Sequence, residues 1–175
     1  MDLRYPVGRF VRPERLSDDE RRAAIDAIAA TPSNLRAAVR GLDEAQLETP
    51  YRPDGWTVRQ VVHHVPESHL NAYSRFKLAL TEDTPTIKPY DEDAWANTGE
   101  VSSTPIETSL VLLEALHDRW VRLLRSMKAA EFDRKLNHPE NGMMNLHQML
   151  ALYKWHGEHH VAHITSPSFD STQSV

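Results

Sequence analysis

Four segments of the chain place apolar residues at alternating spacings of three and four positions. This is the period of an amphipathic helix. The segments run from Ser17 to Leu42, from Trp56 to Leu80, from Pro105 to about Lys128, and from about Asn145 to His163. Ser17 followed by Glu20 is typical of a helix start, because each side chain can bond the backbone N–H of the other. The pattern therefore predicts four long helices.

Two prolines fall inside these predicted helices. Pro32 interrupts the first and Pro66 the second, and each lacks the N–H that a helix interior needs. We expect Pro32 to kink or split its helix. We expect Pro66 to distort the second helix beside His63 and His64.

The remaining segments are predicted to form an N-terminal arm and connecting loops. Residues 1–16 contain Pro6, Gly8 and Pro13, which favours an extended arm packed on a surface. Residues 81–105 form a long connection with a short helical turn at 91–96, and no convincing strand pattern is present. These features predict an all-α fold, a four-helix bundle with an extended N-terminal arm and long connecting loops. Residues 1–165 would form one domain and residues 166–175 a poorly ordered tail.

The composition of the chain argues against several classes of binding partner. The chain has 175 residues, enough for one domain, and its net charge of −5 argues against nucleic-acid binding. It has no cysteine, so any metal site must use His, Asp, Glu or backbone atoms. No apolar run is long enough for a membrane span. We expect a cytoplasmic protein with a small-molecule substrate and no membrane or nucleic-acid partner.

The histidines carry the clearest chemical signal. Of ten histidines, four lie within the eight residues from His156 to His163. His156 and His160 are one helical turn apart on the apolar face, so both can point at one ion inside the bundle. Buried imidazoles without partners would be costly, whereas a divalent metal satisfies their lone pairs.

A third ligand should come from a facing helix, and His64 is the leading candidate. Three neutral histidines leave at least one coordination position open for water or substrate, as in a catalytic site. Imidazole suits zinc, nickel, copper and iron, so the residues alone do not name the metal.

Other side chains near these positions have weaker claims. His163 could be a fourth ligand or could hydrogen-bond a ligand, and His159 faces further aside. Glu67 and Glu158 are candidate catalytic acids or bases that could hold a water, although exposed helix positions suit both. The remaining histidines are expected to be hydrogen-bonded core residues (His69, His117) or solvent and turn residues (His63, His138, His147).

Three separated motifs resemble the DinB-like superfamily, and more closely its YfiT-type branch of metal-dependent hydrolases. They are Asp54-Gly-Trp-Thr-Val-Arg-Gln-Val-Val-His-His64, the segment from Arg75 through Pro85 to Asp91, and Trp155-His156 through Ile164. The resemblance runs from Tyr5 to about Thr165. It implies a four-helix bundle that binds one divalent ion per chain, with Zn²⁺ the leading candidate and Ni²⁺ the alternative. The ligands implied are His64, His156 and His160, and the implied assembly is a homodimer.

The resemblance leaves two reactions open. The first is metal-dependent hydrolysis, in which the ion activates a water. The second is a low-molecular-weight-thiol S-transferase, because the superfamily also includes bacillithiol and mycothiol transferases. A hydrolase should place a base near the water, and a transferase should have a cavity large enough for a thiol and its acceptor. The third hypothesis is a metal-binding protein that catalyses no reaction.

Overall fold

The computed structural model describes residues 2–166, and four long helices account for most of them. These are α1 (Asp18–Ala38), α3 (Val58–Thr81), α5 (Ile106–Ser126) and α6 (Leu146–Thr165). The shorter elements are α2 (Glu44–Leu47), α4 (Glu92–Ala96), a 3₁₀ turn (Ala129–Asp133) and the strands β1 (Lys135–His138) and β2 (Gly142–Asn145). Of the tail expected at 166–175, all but Ser166 lies outside the described residues.

The long helices form a four-helix bundle, as predicted. Helix α1 packs against α5 and α6, and α3 packs against the same two helices. Consecutive long helices in the chain, α1 and α3, therefore lie across the bundle from each other. The sequence predicts long loops between the helices, and these make the arrangement possible, because short loops would keep consecutive helices adjacent.

Side-chain caps define where three of the long helices begin. Ser17, Thr57 and Asn145 each accept a hydrogen bond from the backbone N–H three residues on, and Glu20, Gln60 and Gln148 return the bond. Such reciprocal caps satisfy N–H groups that have no partner within the helix. Helix α5 instead begins after Pro105 and has no side-chain cap.

Of the two effects expected of Pro32, a kink or a split, the split does not occur. Both α1 and α3 continue as α-helix through Pro32 and Pro66. The cost of each proline is local: the carbonyl four residues earlier loses its helical N–H partner. For Pro32 that carbonyl belongs to Ile28, and it has another donor, described below.

The sequence has no convincing strand pattern, yet β1 and β2 pair as a short antiparallel hairpin beside the four-helix bundle. Each strand has only four residues, too few for alternation to be recognised in the sequence. Leu136 and His138 point inward from β1, and Gly142 adopts the left-handed φ of +70° that starts the return strand. The hairpin leads directly into α6.

The core consists of two apolar clusters with a polar layer between them. One cluster is built around Ile28, Phe76, Trp120 and Tyr153, and the other around Leu35, Val62, Leu113 and Ile164. On each long helix, polar residues stand in sequence between members of the two clusters. They include Thr31 on α1, His69 on α3, His117 on α5, and His156 and His160 on α6.

The N-terminal residues form the expected arm, held against α6 and the hairpin. The indole N–H of Trp155 donates to the Gly8 carbonyl at 2.9 Å. The guanidinium of Arg12 donates to the Asn141 carbonyl at 3.1 Å and to the Gln148 amide oxygen at 2.9 Å. Among residues 2–166, no helix combines the length and apolar character needed to span a bilayer.

Helices α1 and α6 approach closely at Gly157, between the histidines of α6. A Cβ at this position would lie 2.7 Å from Thr31 Oγ1 and 3.0 Å from its methyl group. Thr31 is buried and β-branched, so it has little freedom to move away. Glycine at 157 therefore sets the spacing of the helix pair.

Replacing Gly157 with alanine should lower the free energy of unfolding by about 1–3 kcal/mol, the cost typical of an overpacked core. Adding Thr31→Ala to that variant should recover part of the loss, because it removes the clashing atoms. Urea unfolding followed by circular dichroism measures both effects. Gly99→Ala is the control, because a Cβ there meets nothing within 4 Å. A G157A variant as stable as the parent would contradict the close approach.

Candidate metal centre

Three imidazoles converge between α3 and α6. His64 comes from α3, and His156 and His160 lie one turn apart on α6. One ring nitrogen of each lies within 4.8 Å of the others, and the Nε2 atoms of His64 and His156 are 3.2 Å apart. The structure thus brings together the three histidines predicted as ligands.

The spacing and chemistry of these nitrogens fit a divalent ion. Two imidazole nitrogens bound at about 2.0–2.1 Å to one tetrahedral zinc are about 3.3 Å apart, close to the separation of His64 Nε2 and His156 Nε2. In addition, the Nδ1 atom of His160 is buried and has no hydrogen-bond partner among the described residues. The donor set therefore suits zinc or nickel, which accept imidazole ligands.

Burial keeps these rings uncharged. Desolvation lowers the pKa of His64 to about 4, with a smaller contribution from His159. Desolvation also lowers the pKa values of His156 and His160 well below their ordinary value, and the neighbouring histidines add to the shift. A neutral imidazole has the free lone pair that a metal ligand needs, so binding at neutral pH would require no loss of a proton from a charged ring.

The three histidines face a cavity of about 740 Å³. Trp56 forms one wall: its ring lies edge-on to His64 at 4.7 Å and parallel to His160 at 6.4 Å between centroids. The indole N–H of Trp56 donates to Asp93 of α4 at 2.9 Å, so α4 is fixed beside the site. This volume is in the range of small-molecule sites.

A second histidine group adjoins the first. His159, His160 and His163 are buried and also place ring nitrogens within 4.8 Å of one another. His159 stacks on Trp155 at 4.3 Å and His163 on Tyr51 at 3.8 Å. His160 belongs to both groups, and a neutral imidazole has one lone pair, so it can bind only one ion at a time. His159, expected to face aside, in fact lines the cavity.

Three histidines expected at the surface or in turns are buried instead. His63 Nδ1 lies 2.7 Å from Ser109 Oγ, and His147 is packed beneath Leu16, whose N–H donates to its Nδ1 at 3.4 Å. His138 does adjoin the hairpin turn, but its ring is buried and lines the cavity. The sequence interpretation was wrong because His63 lies on the face of α3 toward α5, and because the arm and hairpin cover the other two.

The two glutamates proposed as acids or bases are not brought to the cavity. Glu67 is half-buried outside the lining, and Glu158 is exposed and 3.8 Å from Lys154 Nζ. Glu92 of α4 is exposed, but it lines the cavity. Desolvation, and secondarily the charge of Asp93, raises the pKa of Glu92. Sequence reasoning missed it because α4 lies in a loop whose position relative to the helices has no periodic signal.

The two expected core histidines form a hydrogen-bonded chain behind the site. His156 Nδ1 lies 3.0 Å from His69 Nε2, and His69 Nδ1 lies 2.8 Å from His117 Nε2. The chain ends where His117 Nδ1 lies 2.7 Å from the Ile28 carbonyl oxygen. The expectation that His69 and His117 are hydrogen-bonded core residues is confirmed.

The family model described as the DinB superfamily matches residues 27–164, which include all three converging histidines. This chain belongs to the DinB superfamily. Its DinB relatives include a Bacillus cereus (strain 03BB102) protein named "Putative metal-dependent hydrolase". That protein is 52% identical over 165 residues, which cover 94% of this chain and 95% of the relative. A Bacillus mycoides (strain KBAB4) protein described in the same words is 51% identical with the same coverage.

Two solved structures are similar to this chain in fold. YfiT from Bacillus subtilis, described as "a probable metal-dependent hydrolase with an unusual four-helix bundle topology", superposes with a TM-score of 0.94. It is 42% identical and covers 99% of this chain and 98% of its own. The four-helix bundle protein TT2238 has a TM-score of 0.57 at 19% identity, covering 89% of this chain and 99% of its own, and is similar in fold alone.

Acidification should destabilise the metal-free protein. Burial lowers the pKa of His117 from 6.5 to about 4, against a smaller opposing effect of the Ile28 carbonyl. The unfolded chain therefore takes up protons first, and stability present above pH 6.5 is lost as the pH falls toward 4. Each such histidine contributes about 1.4 kcal/mol per pH unit in this window.

Urea unfolding in the presence of a chelator at pH 7, 6 and 5 measures this slope. The variant His117→Leu should show a shallower dependence, because one of the neutral buried rings is gone. A midpoint that does not change between pH 7 and 5 would be inconsistent with uncharged buried histidines.

Proposed function

We propose that this protein is a metal-dependent hydrolase that holds one divalent ion through His64, His156 and His160. The observation that carries the proposal is the convergence of one nitrogen from each ring within 4.8 Å at the edge of a cavity. The names of the Bacillus relatives and of YfiT, which describe those proteins as metal-dependent hydrolases, support it. Zn²⁺ is the leading candidate and Ni²⁺ the alternative, because both suit imidazole donors.

A divalent ion with an open position supplies hydrolytic chemistry by lowering the pKa of a water toward neutrality. The chain's own residues then bind and orient the substrate. Arg75 and Tyr153 line the cavity and are linked at 3.4 Å between Nη1 and the phenol oxygen, so both can donate to a substrate carbonyl or carboxylate. Ser68 Oγ lies 3.4 Å from His156 Nε2, where it can orient a polar ligand.

Glu92 replaces Glu67 and Glu158 as the proposed proton carrier. It lines the cavity, and its raised pKa means that it holds a proton at a higher pH than an ordinary glutamate does. A general base or acid works best when its pKa approaches the working pH. The substrate class that fits is a small polar molecule with a hydrolysable amide or ester. The active unit is one chain or a homodimer of the kind the resemblance implies.

Thiol S-transfer is the second candidate, and the cavity volume favours it. About 740 Å³ is room for a low-molecular-weight thiol together with its acceptor. Hydrolysis and S-transfer can be separated with the Zn²⁺-loaded protein, by assaying ester and amide substrates with and without added thiol. Turnover that needs the thiol and forms a thioether would replace the hydrolase proposal.

Replacing His64, His156 or His160 singly with alanine should weaken Zn²⁺ binding by more than about 100-fold, beyond the 10–100-fold typical of losing an outer hydrogen-bond partner. His147→Ala, on α6 but outside the cavity, and His163→Ala should retain about one ion per chain. Elemental analysis and competitive Zn²⁺ titration measure these outcomes. Equal metal content in all five variants would rule out the assigned ligands, and loss only in His163→Ala and His160→Ala would move the ion to the second histidine group.

Glu92→Gln should lower hydrolytic turnover by about 100-fold or more while metal content stays unchanged, since general acid–base groups typically contribute 10²–10⁴-fold. The matched control is Glu158→Gln, which removes a charge of the same kind on the exposed face of α6. Initial rates on any substrate found in the ester and amide assays give the comparison. A Glu92→Gln variant with parental turnover would remove Glu92 from the mechanism.

A further inference from the structure

We propose that the Ile28 carbonyl sets the tautomers of three histidines that are hydrogen-bonded in series, His117, His69 and His156. As a result, the Nε2 lone pair of His156 faces the metal centre. The inference rests on the proposed metal site. It assigns a positioning role to His69 and His117, which do not themselves line the cavity.

The argument begins in α1. The helical donor to the Ile28 carbonyl would be the N–H of residue 32, but that residue is Pro32 and has none. The carbonyl oxygen instead lies 2.7 Å from His117 Nδ1. A carbonyl oxygen can only accept, so Nδ1 of His117 must carry the proton.

This proton determines the direction of each following bond. A neutral His117 with its proton on Nδ1 has a bare Nε2, which must accept from His69 Nδ1 at 2.8 Å. His69 then has a bare Nε2, which accepts from His156 Nδ1 at 3.0 Å. His156 in turn has a bare Nε2, which lies 3.2 Å from the Nε2 of His64.

The surroundings keep the three hydrogen-bonded histidines in this neutral form. His69 is fully buried and lies edge-on to the rings of Trp120 and Tyr153, with centroids 5.7 Å and 5.3 Å away. Its hydrogen-bond contacts among the described residues are with the two histidines, so a charged ring there would be buried without an anionic partner, at a high cost. A metal-binding histidine commonly has its other ring nitrogen bonded in this way, and here the acceptor is a second histidine rather than a carboxylate.

The arrangement also distinguishes the two histidine groups. His156 belongs to the first group and has its Nδ1 held by the chain. His163 of the second group has a buried Nδ1 without a partner among residues 2–166, and its Nε2 lies 3.4 Å from the Arg4 carbonyl. The hydrogen-bonded histidines therefore orient His156 of the first group, whereas His163 of the second group is bonded to the N-terminal arm.

The first test is nitrogen NMR of the metal-free, isotope-labelled protein, which reports which ring nitrogen of each histidine carries the proton. We expect a proton on Nδ1 and none on Nε2 for His117, His69 and His156. A proton on Nε2 of His156 in the parent protein would overturn the proposal, whatever the protein does with metals.

The second test is Zn²⁺ affinity in position-69 variants. His69→Leu removes the acceptor and should weaken binding by about 10–100-fold, with the Nδ1 proton signal of His156 lost or shifted. His69→Gln should recover most of the affinity, because its amide can accept from His156 and donate to His117. His147→Leu is the matched control, a buried histidine on α6 outside the chain, and thermal unfolding of all variants checks that they are folded.

The outcomes separate the two proposals. Parental Zn²⁺ affinity in a folded His69→Leu would overturn the positioning role. If the ring protons lie where expected but the protein binds no Zn²⁺, the proposed order of histidine tautomers is upheld and the proposed function is refuted. If His69→Leu does not fold, His117→Leu supplies the comparison, with a smaller expected loss of affinity because His156 keeps an acceptor in one of the two tautomers of His69.

Discussion

The bundle buries a layer of imidazole rings between two apolar clusters, and each ring nitrogen in that layer needs a partner. Polar groups buried without hydrogen bonds cost more than most single contacts contribute, so their satisfaction constrains the whole core. For His156 Nδ1, His69 and His117 the helices meet this constraint with one chain of bonds that starts on α6 and ends on the backbone of α1. Among the described residues, His64 and His160 each have a buried Nδ1 without a partner. A proline that looks like a helix defect is part of the solution, because it removes the competing donor to the Ile28 carbonyl.

The same helix faces supply both the core and the chemistry. On α3, α5 and α6 the histidines occupy positions that continue the apolar spacing, so they point inward together with the residues that hold the bundle closed. Gly157 lets α6 lie close to α1 at the level of the histidines. Trp56, held by Asp93, fills the side of the site that faces α4. Rigid helices therefore carry the three converging nitrogens, and the loops and α4 complete the cavity around them.

Much of this arrangement follows from the sequence, and the exceptions have physical causes. Helical spacing predicts all four long helices and places His156 and His160 on one inward face, and the motif around Trp56 points to His64. Periodicity describes one helix at a time, so it cannot show that His69, His117 and His156 meet. It also cannot place Glu92, which lies in a five-residue helix within a loop, or the hairpin, whose strands have four residues each. Pro32 is visible in the sequence, but the donor that replaces its missing N–H comes from 89 positions away.

The two histidine groups of α6 show why one ion is the simplest proposal for so many imidazoles. His160 is common to both groups, and its single lone pair can serve only one of them. The hydrogen-bonded chain orients His156 of the first group, whereas His163 of the second group is bonded to the Arg4 carbonyl of the N-terminal arm. On this assignment His159 and His163 remain as neutral cavity walls, stacked on Trp155 and Tyr51 and covered by the N-terminal arm. On the same assignment, the histidine-rich segment would provide two of the ligands and part of the cavity wall beside them.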